Sequence, residues 1–136
     1  MIEYTYHLKP YEVIHLLRGI RGATTVSAND REEILANTFS LLTDMAQANE
    51  ILPEDIGAVI FSSTPDLNSA FPAAAARKLG WTSVPLFGTQ EIDHPEGLPL
   101  CVRVLILWNT EKSQHQIRHV YLKEAVKLRP DFSPAN

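Results

Sequence analysis

Cys101-Val102-Arg103-Val104-Leu105-Ile106-Leu107-Trp108 holds one charged residue among seven apolar ones. A run of this length, set between the turn-rich segment Asp93-His94-Pro95-Glu96-Gly97 and a further turn, reads as a buried strand. Five consecutive apolar residues, 104 to 108, are far too few to cross a bilayer. Arg103 is the anomaly in the strand. A guanidinium keeps its proton, and an unpaired charge in a dry interior costs several kcal/mol. Arg103 therefore requires either a protein carboxylate or an anionic ligand.

The same periodicity extends outward from this strand. Residues 12 to 26 read as a first strand, with Val13, Ile14, Leu16, Leu17 and Ile20 supplying apolar faces and Gly19 and Gly22 marking close backbone approach. A helix is expected over residues 30 to 48. Asp30 followed by Glu33 has the spacing of a capping box, and Glu32 and Glu33 suit the positive end of the helix dipole. Ile34, Thr38, Leu41 and Met45, flanked by Leu35, Phe39, Leu42 and Ala46, make its core stripe.

Ala58-Val59-Ile60-Phe61 begins a second strand that enters the turn Thr64-Pro65-Asp66. Asn68 or Ser69 is expected to cap a short helix with Pro72 in its first turn, ended by a left-handed Gly80. A third strand is expected at Val84 to Phe87, and a last short one near His119 to Leu122. The order β-α-β-α-β-β gives an α+β (mixed α/β) domain with its helices on one face of a mixed sheet. One domain accounts for residues 1–136, with residues 1–15 as an N-terminal extension and 130–136 as a mobile tail. So small a sheet keeps a bare face or edge, and covering it with copies of the chain predicts an oligomer.

Composition excludes several classes. A net charge of −4 offers no basic footprint for nucleic acid or an anionic membrane surface. The single cysteine, Cys101, rules out an intrachain disulfide and any cysteine-built metal cluster, and the N-terminus lacks a basic segment followed by an apolar one. A cytoplasmic protein is expected. His115 and His119 have the spacing of a helical metal pair but no third ligand, so no metal is assigned. Ser62, Ser63 and Cys101 have no nucleophile elbow or placed base, and Arg18 to Gly22 lacks the glycine spacing of a phosphate loop.

Arg21, Arg77 and Arg103 all fall where elements should face inward. Three forked donors converging on one cavity suit a ligand with carboxylates. Glu91 is open to two readings, as the mate of one of these arginines or as a group in the same cavity. Tyr121 reads more readily as a core phenol than as a ligand contact.

RGIRGATTV at 18 to 26, TPDLNSAFPA at 64 to 73, VPLFGTQEID at 84 to 93, CVRVL at 101 to 105 and IRHVYLKEAVKLRPD at 117 to 131 resemble the monofunctional chorismate mutases of the trimeric α/β class. The resemblance implies a pseudo-barrel homotrimer with active sites between subunits. It also implies the Claisen rearrangement of chorismate to prephenate, on the route to phenylalanine and tyrosine, without cofactor or metal. By the same resemblance Arg103 stands beside the breaking ether oxygen, Arg21 and Tyr121 hold a substrate carboxylate, and Glu91 meets the ring hydroxyl. Phe71, Ala73, Leu86 and Gly88 would line the substrate, with Arg77 and Arg129 at the mouth. Gly88 and Ala74 depart from the pattern, which often has a hydrogen-bonding side chain and a lysine there, and Phe87 is bulky for a residue beside a cleft. The alternative is a trimeric carboxylate-binding protein without catalysis. It has no evident need for Glu91 near its ligand.

Overall fold

The computed structural model describes residues 16–128. In chain order the elements are β1 (Leu16–Thr25), α1 (Arg31–Asn49), β2 (Ile56–Ser63), α2 (Ala73–Lys78), β3 (Leu86–Gln90), β4 (Cys101–Thr110) and β5 (Val120–Tyr121). Short 3-10 turns occupy Pro53–Asp55, Gln114–Gln116 and Lys123–Leu128. Both expected helices and all five expected strands are present, the one expected near His119 to Leu122 being the two-residue β5. The N-terminal extension, the tail and Arg129 lie outside the described residues.

One mixed sheet, ordered β3-β2-β4-β1-β5, joins all five strands. β4 is central, antiparallel to both β1 and β2, while β3 and β5 add in parallel at the edges. Alternation along β4 separates two environments. Val102, Val104, Ile106 and Trp108 face the helices, and with Ile20 of β1, Val59 and Phe61 of β2 and Ile34, Leu41, Leu42 and Met45 of α1 they form the core. Burying a side chain of this kind is worth about 1.5–3 kcal/mol, so this face holds the helices to the sheet. The Met45 side chain packs directly on Gly22, where a Cβ would come within 2.9 Å of Met45 Cε.

The opposite face carries Arg103, Leu105 and Leu107 of β4, Arg21 of β1, Ile60 of β2 and Phe87 of β3. Cross-strand register places Ile60 beside both Phe87 and Leu105, and Leu105 beside Arg21. Among the described residues one end of this face is covered, by the turn Lys123–Leu128, which packs Ala125 against Ala23, Cys101 and Tyr121. Phe87, 66% exposed, belongs to this uncovered apolar strip. That position accounts for its bulk.

Local chemistry departs from expectation at several points. Asp30 does cap α1, accepting from the Glu33 N–H at 3.0 Å, but the Glu33 carboxylate turns to the backbone and hydroxyl of Ser27 instead of closing the box. Phe39 faces outward from the predicted stripe. Pro72 itself takes the N-cap position of α2, because Asn68 and Ser69 are engaged with Asn29. Gly80 is left-handed as expected. β3 begins at Leu86, two residues later than predicted, since Pro85 has no N–H to give to a ladder. His115 and His119 share no helix: one lies in the turn Gln114–Gln116, and the other accepts the Arg21 N–H on Nδ1 at 2.9 Å.

Candidate active site

Register brings three of the expected residues together. Arg103 of β4 pairs with Ala23 of β1, and Ala23 pairs in turn with Tyr121 of β5. Their side chains therefore share the open face in one row. Arg21, two residues along β1, stands on the same face. Together with Ser62, Ile60, Leu105 and Leu128 they line a cleft of about 480 Å³. Apolar walls with two guanidiniums and a phenol give a site able to hold carboxylates in a weakly solvated setting.

Glu91 lies just past the end of β3, fixed by its N–H donating to Ser63 O at 2.8 Å. Its Oε2 stands 3.2 Å from Arg103 Nε and accepts from Ser62 Oγ at 3.4 Å. Of the two readings open for Glu91, this is the mate of an arginine, placed at the edge of the same cavity. The pairing is partial. Nε is inaccessible to water, yet among the described residues the approach of Glu91 is too poorly aligned to give it a hydrogen bond. The arginine side chain as a whole is 40% exposed and not buried, because odd positions of β4 face the uncovered side. Arg103 is thus pinned by charge while part of its fork stays open.

Cys101, also on this face, is a free buried thiol. Desolvation pushes its pKa up to about 11 although the Arg103 charge opposes the shift. A thiol in that state is a poor nucleophile.

The remaining residues lie elsewhere. Phe71, Gly88 and Pro72 line a second cleft of about 610 Å³ with Phe61, Ser63, Thr89, Gln90 and Arg31. Phe61 and Ser63 point away from Ile60 and Ser62, so this cleft opens on the other side of the sheet. Phe71 is 82% exposed there. Ala73, half-buried, starts α2 directly behind it. Arg77 does not converge with Arg21 and Arg103: it lines a third recess with Trp81, Thr82, Val84 and Leu86. Gly88 has open space where a side chain would stand. Sequence reasoning set Ser62 aside as a nucleophile and missed its bond to Glu91, and it passed over Arg31. The period-two pattern of β2 was the signal for the first.

The type I chorismate mutase family profile matches residues 17–132. The chain belongs to that family. Chorismate mutase AroH of Thermus thermophilus is 51% identical over 121 residues, covering 88% of this chain and 99% of the relative. The Bacillus subtilis enzyme of the same name is 49% identical over 119 residues, covering 87% and 94%. Among solved structures, a chorismate mutase from Clostridium thermocellum superposes with a TM-score of 0.77 at 50% identity, over 79% of this chain and 96% of that one. Among the described residues no helix is long and apolar enough to cross a membrane, and no three His, Cys, Asp or Glu side chains gather as a metal would need.

Proposed function

We propose that the two clefts are halves of one active site, completed when a neighbouring copy brings its Phe71 and Gly88 cleft against the Arg21, Arg103 and Tyr121 cleft of another. The family makes the chain a chorismate mutase, an isomerase of aromatic amino acid biosynthesis. One observation carries the assembly: the two residue sets lie on opposite faces of the same sheet, so one chain cannot surround a ligand with both. The bare apolar strip of Ile60, Leu105, Leu107 and Phe87 gives the copies a surface to bury, and a homotrimer closed around it is the arrangement proposed.

The substrate is chorismate. As its ether C–O bond breaks and the new C–C bond forms, negative charge gathers on the ether oxygen, and no proton, electron or group leaves the molecule. Such a reaction needs no acid, base, nucleophile or cofactor. The protein contributes by selecting the folded conformer and by stabilising charge where it develops. Arg103 supplies the donor for the ether oxygen, its position set by Glu91. Arg21 and Tyr121 hold a carboxylate, and Glu91 accepts from the ring hydroxyl while Ser62 steadies it. From the neighbour, Phe71, Ala73, Leu86 and Gly88 pack on the substrate. Arg77 and Arg129 add positive charge at the mouth. The buried free thiol is in keeping with a reducing compartment, and we place the enzyme in the cytoplasm.

Subunit complementation tests this reading. Arg103→Ala disables one half of each site. Gly88→Trp should obstruct the other half while leaving the subunit folded, because nothing lies within 4 Å of a Cβ built at Gly88. Each variant alone should be nearly inactive. Refolded together in equal amounts they should recover about a quarter of parental activity, the share of random interfaces that join two intact halves. No recovery from two folded, co-assembled variants would refute a shared site.

A further inference from the structure

We propose that Arg31 is a substrate-anchoring residue, presented to the Phe71 cleft by the first turn of α1 and reaching a carboxylate of the dianion held there. The inference rests on the shared-site reading and deepens it. Three observations converge. Among the described residues Arg31 is the sole charged one lining the cleft that contains Phe71 and Gly88. Its guanidinium has no hydrogen bond or ion pair among the described residues: the Asp30 carboxylate accepts from Glu33 N, and the Glu33 carboxylate is held by Ser27. Glu32 follows on the helix, and successive residues do not face each other there.

The third observation is that this residue sits where a cation is locally unwelcome. Arg31 is the first residue of α1, at the positive end of the helix dipole. Neither a capping role nor a partner in the subunit accounts for it. An anionic ligand would gain from both the guanidinium and the dipole behind it.

The turn is also fastened to the cleft. Asn29 Oδ1 accepts from Asn68 N and Ser69 N, both at 3.1 Å, while its Nδ2 donates to Asn68 Oδ1 at 2.7 Å. Ser69 Oγ donates to Asn29 O at 3.1 Å. The segment that leads to Phe71 and the turn that carries Arg31 therefore move as one piece. The backbone that carries the exposed Arg31 side chain is thereby held at the rim of the cleft, and a charge kept there acts on substrate capture through both contact and steering.

Arg31→Gln should raise KM for chorismate about three- to tenfold and leave kcat within about twofold, the range for one partly exposed charge–carboxylate contact. Raising ionic strength from about 20 mM to about 300 mM should lower kcat/KM less steeply in the variant than in the parent. Arg31→Lys should recover part of both effects, and Arg31→Glu should weaken binding further. Thermal stability should be unchanged or raised in the Gln and Glu variants, since a cation leaves the positive helix end. Parental KM and salt dependence in Arg31→Gln would overturn the inference, as would a loss confined to kcat or a lowered melting temperature. Each of those results leaves the shared site intact, which complementation judges separately.

Discussion

Replacing Arg103 should separate catalysis from stability. The Arg103–Glu91 pair spans 3.2 Å, but the two side chains are 40% and 30% exposed and their alignment is poor. A pair of that kind is worth less than about 1 kcal/mol to the fold after solvent screening. Removing a preorganised donor from a developing anion costs about 3 to 4 kcal/mol, roughly a hundred- to thousandfold in rate. The two magnitudes decide the phenotype. Arg103→Ala should lower kcat by at least about a hundredfold while shifting the urea midpoint only slightly. Arg103→Lys should recover little, because a single ammonium cannot keep both the Glu91 contact and the open part of the fork. The assay is loss of chorismate absorbance, with circular dichroism and denaturation on the same preparations. Near-parental turnover in folded Arg103→Ala would refute the mechanism. A loss of stability above about 3 kcal/mol would instead make the pair structural, against the exposure argument.

Two further outcomes follow from packing and titration. Gly22→Ala should destabilise by about 2 kcal/mol, since the new methyl would stand within 2.9 Å of Met45 Cε and 3.2 Å of Cγ, and Met45 is fully buried and must shift within the core to make room. In a Met45→Ala background the same change should cost little, and simple additivity in urea melts would show that the close approach is not the cause. Cys101 has a folded pKa of about 11 against an ordinary value of 9.0, so its neutral form favours the native state below about pH 9, and that contribution fades as pH rises through about 11. The native thiol should resist iodoacetamide at about pH 8.5 and react in urea, while Cys101→Ala should show a flatter loss of stability above about pH 9; rapid native alkylation would contradict the burial.

The elements were largely legible because their signals are local. Two periodicities, one capping aspartate and a left-handed glycine suffice to place β1, α1, β2 and the end of α2. What escaped depends on contacts distant in sequence. Asn68 and Ser69 have the chemistry of helix caps, but Asn29, 39 and 40 residues earlier, claims them. Arg103 reads as buried from its neighbours, yet exposure is decided by which face the helices cover. Arg77 shares a residue type with Arg21 and Arg103 but lines another recess, and no spacing rule reveals that. The blocks that resemble the family nominate candidate site residues without showing that those residues divide between two faces. Register and strand order supply that division.

Strand β4 interleaves two kinds of information. Its even residues, Val102, Val104, Ile106 and Trp108, fasten the helices, and its odd residues, with Arg103 foremost, face the open side of the sheet and the cleft there. Substitution can therefore retune one set while leaving the other untouched, so specificity can drift without endangering the fold. Insertion or deletion of a single residue has no such freedom. It would turn Arg103 into the core and a valine out to the open face, so the strand tolerates changes of letter but not of reading frame.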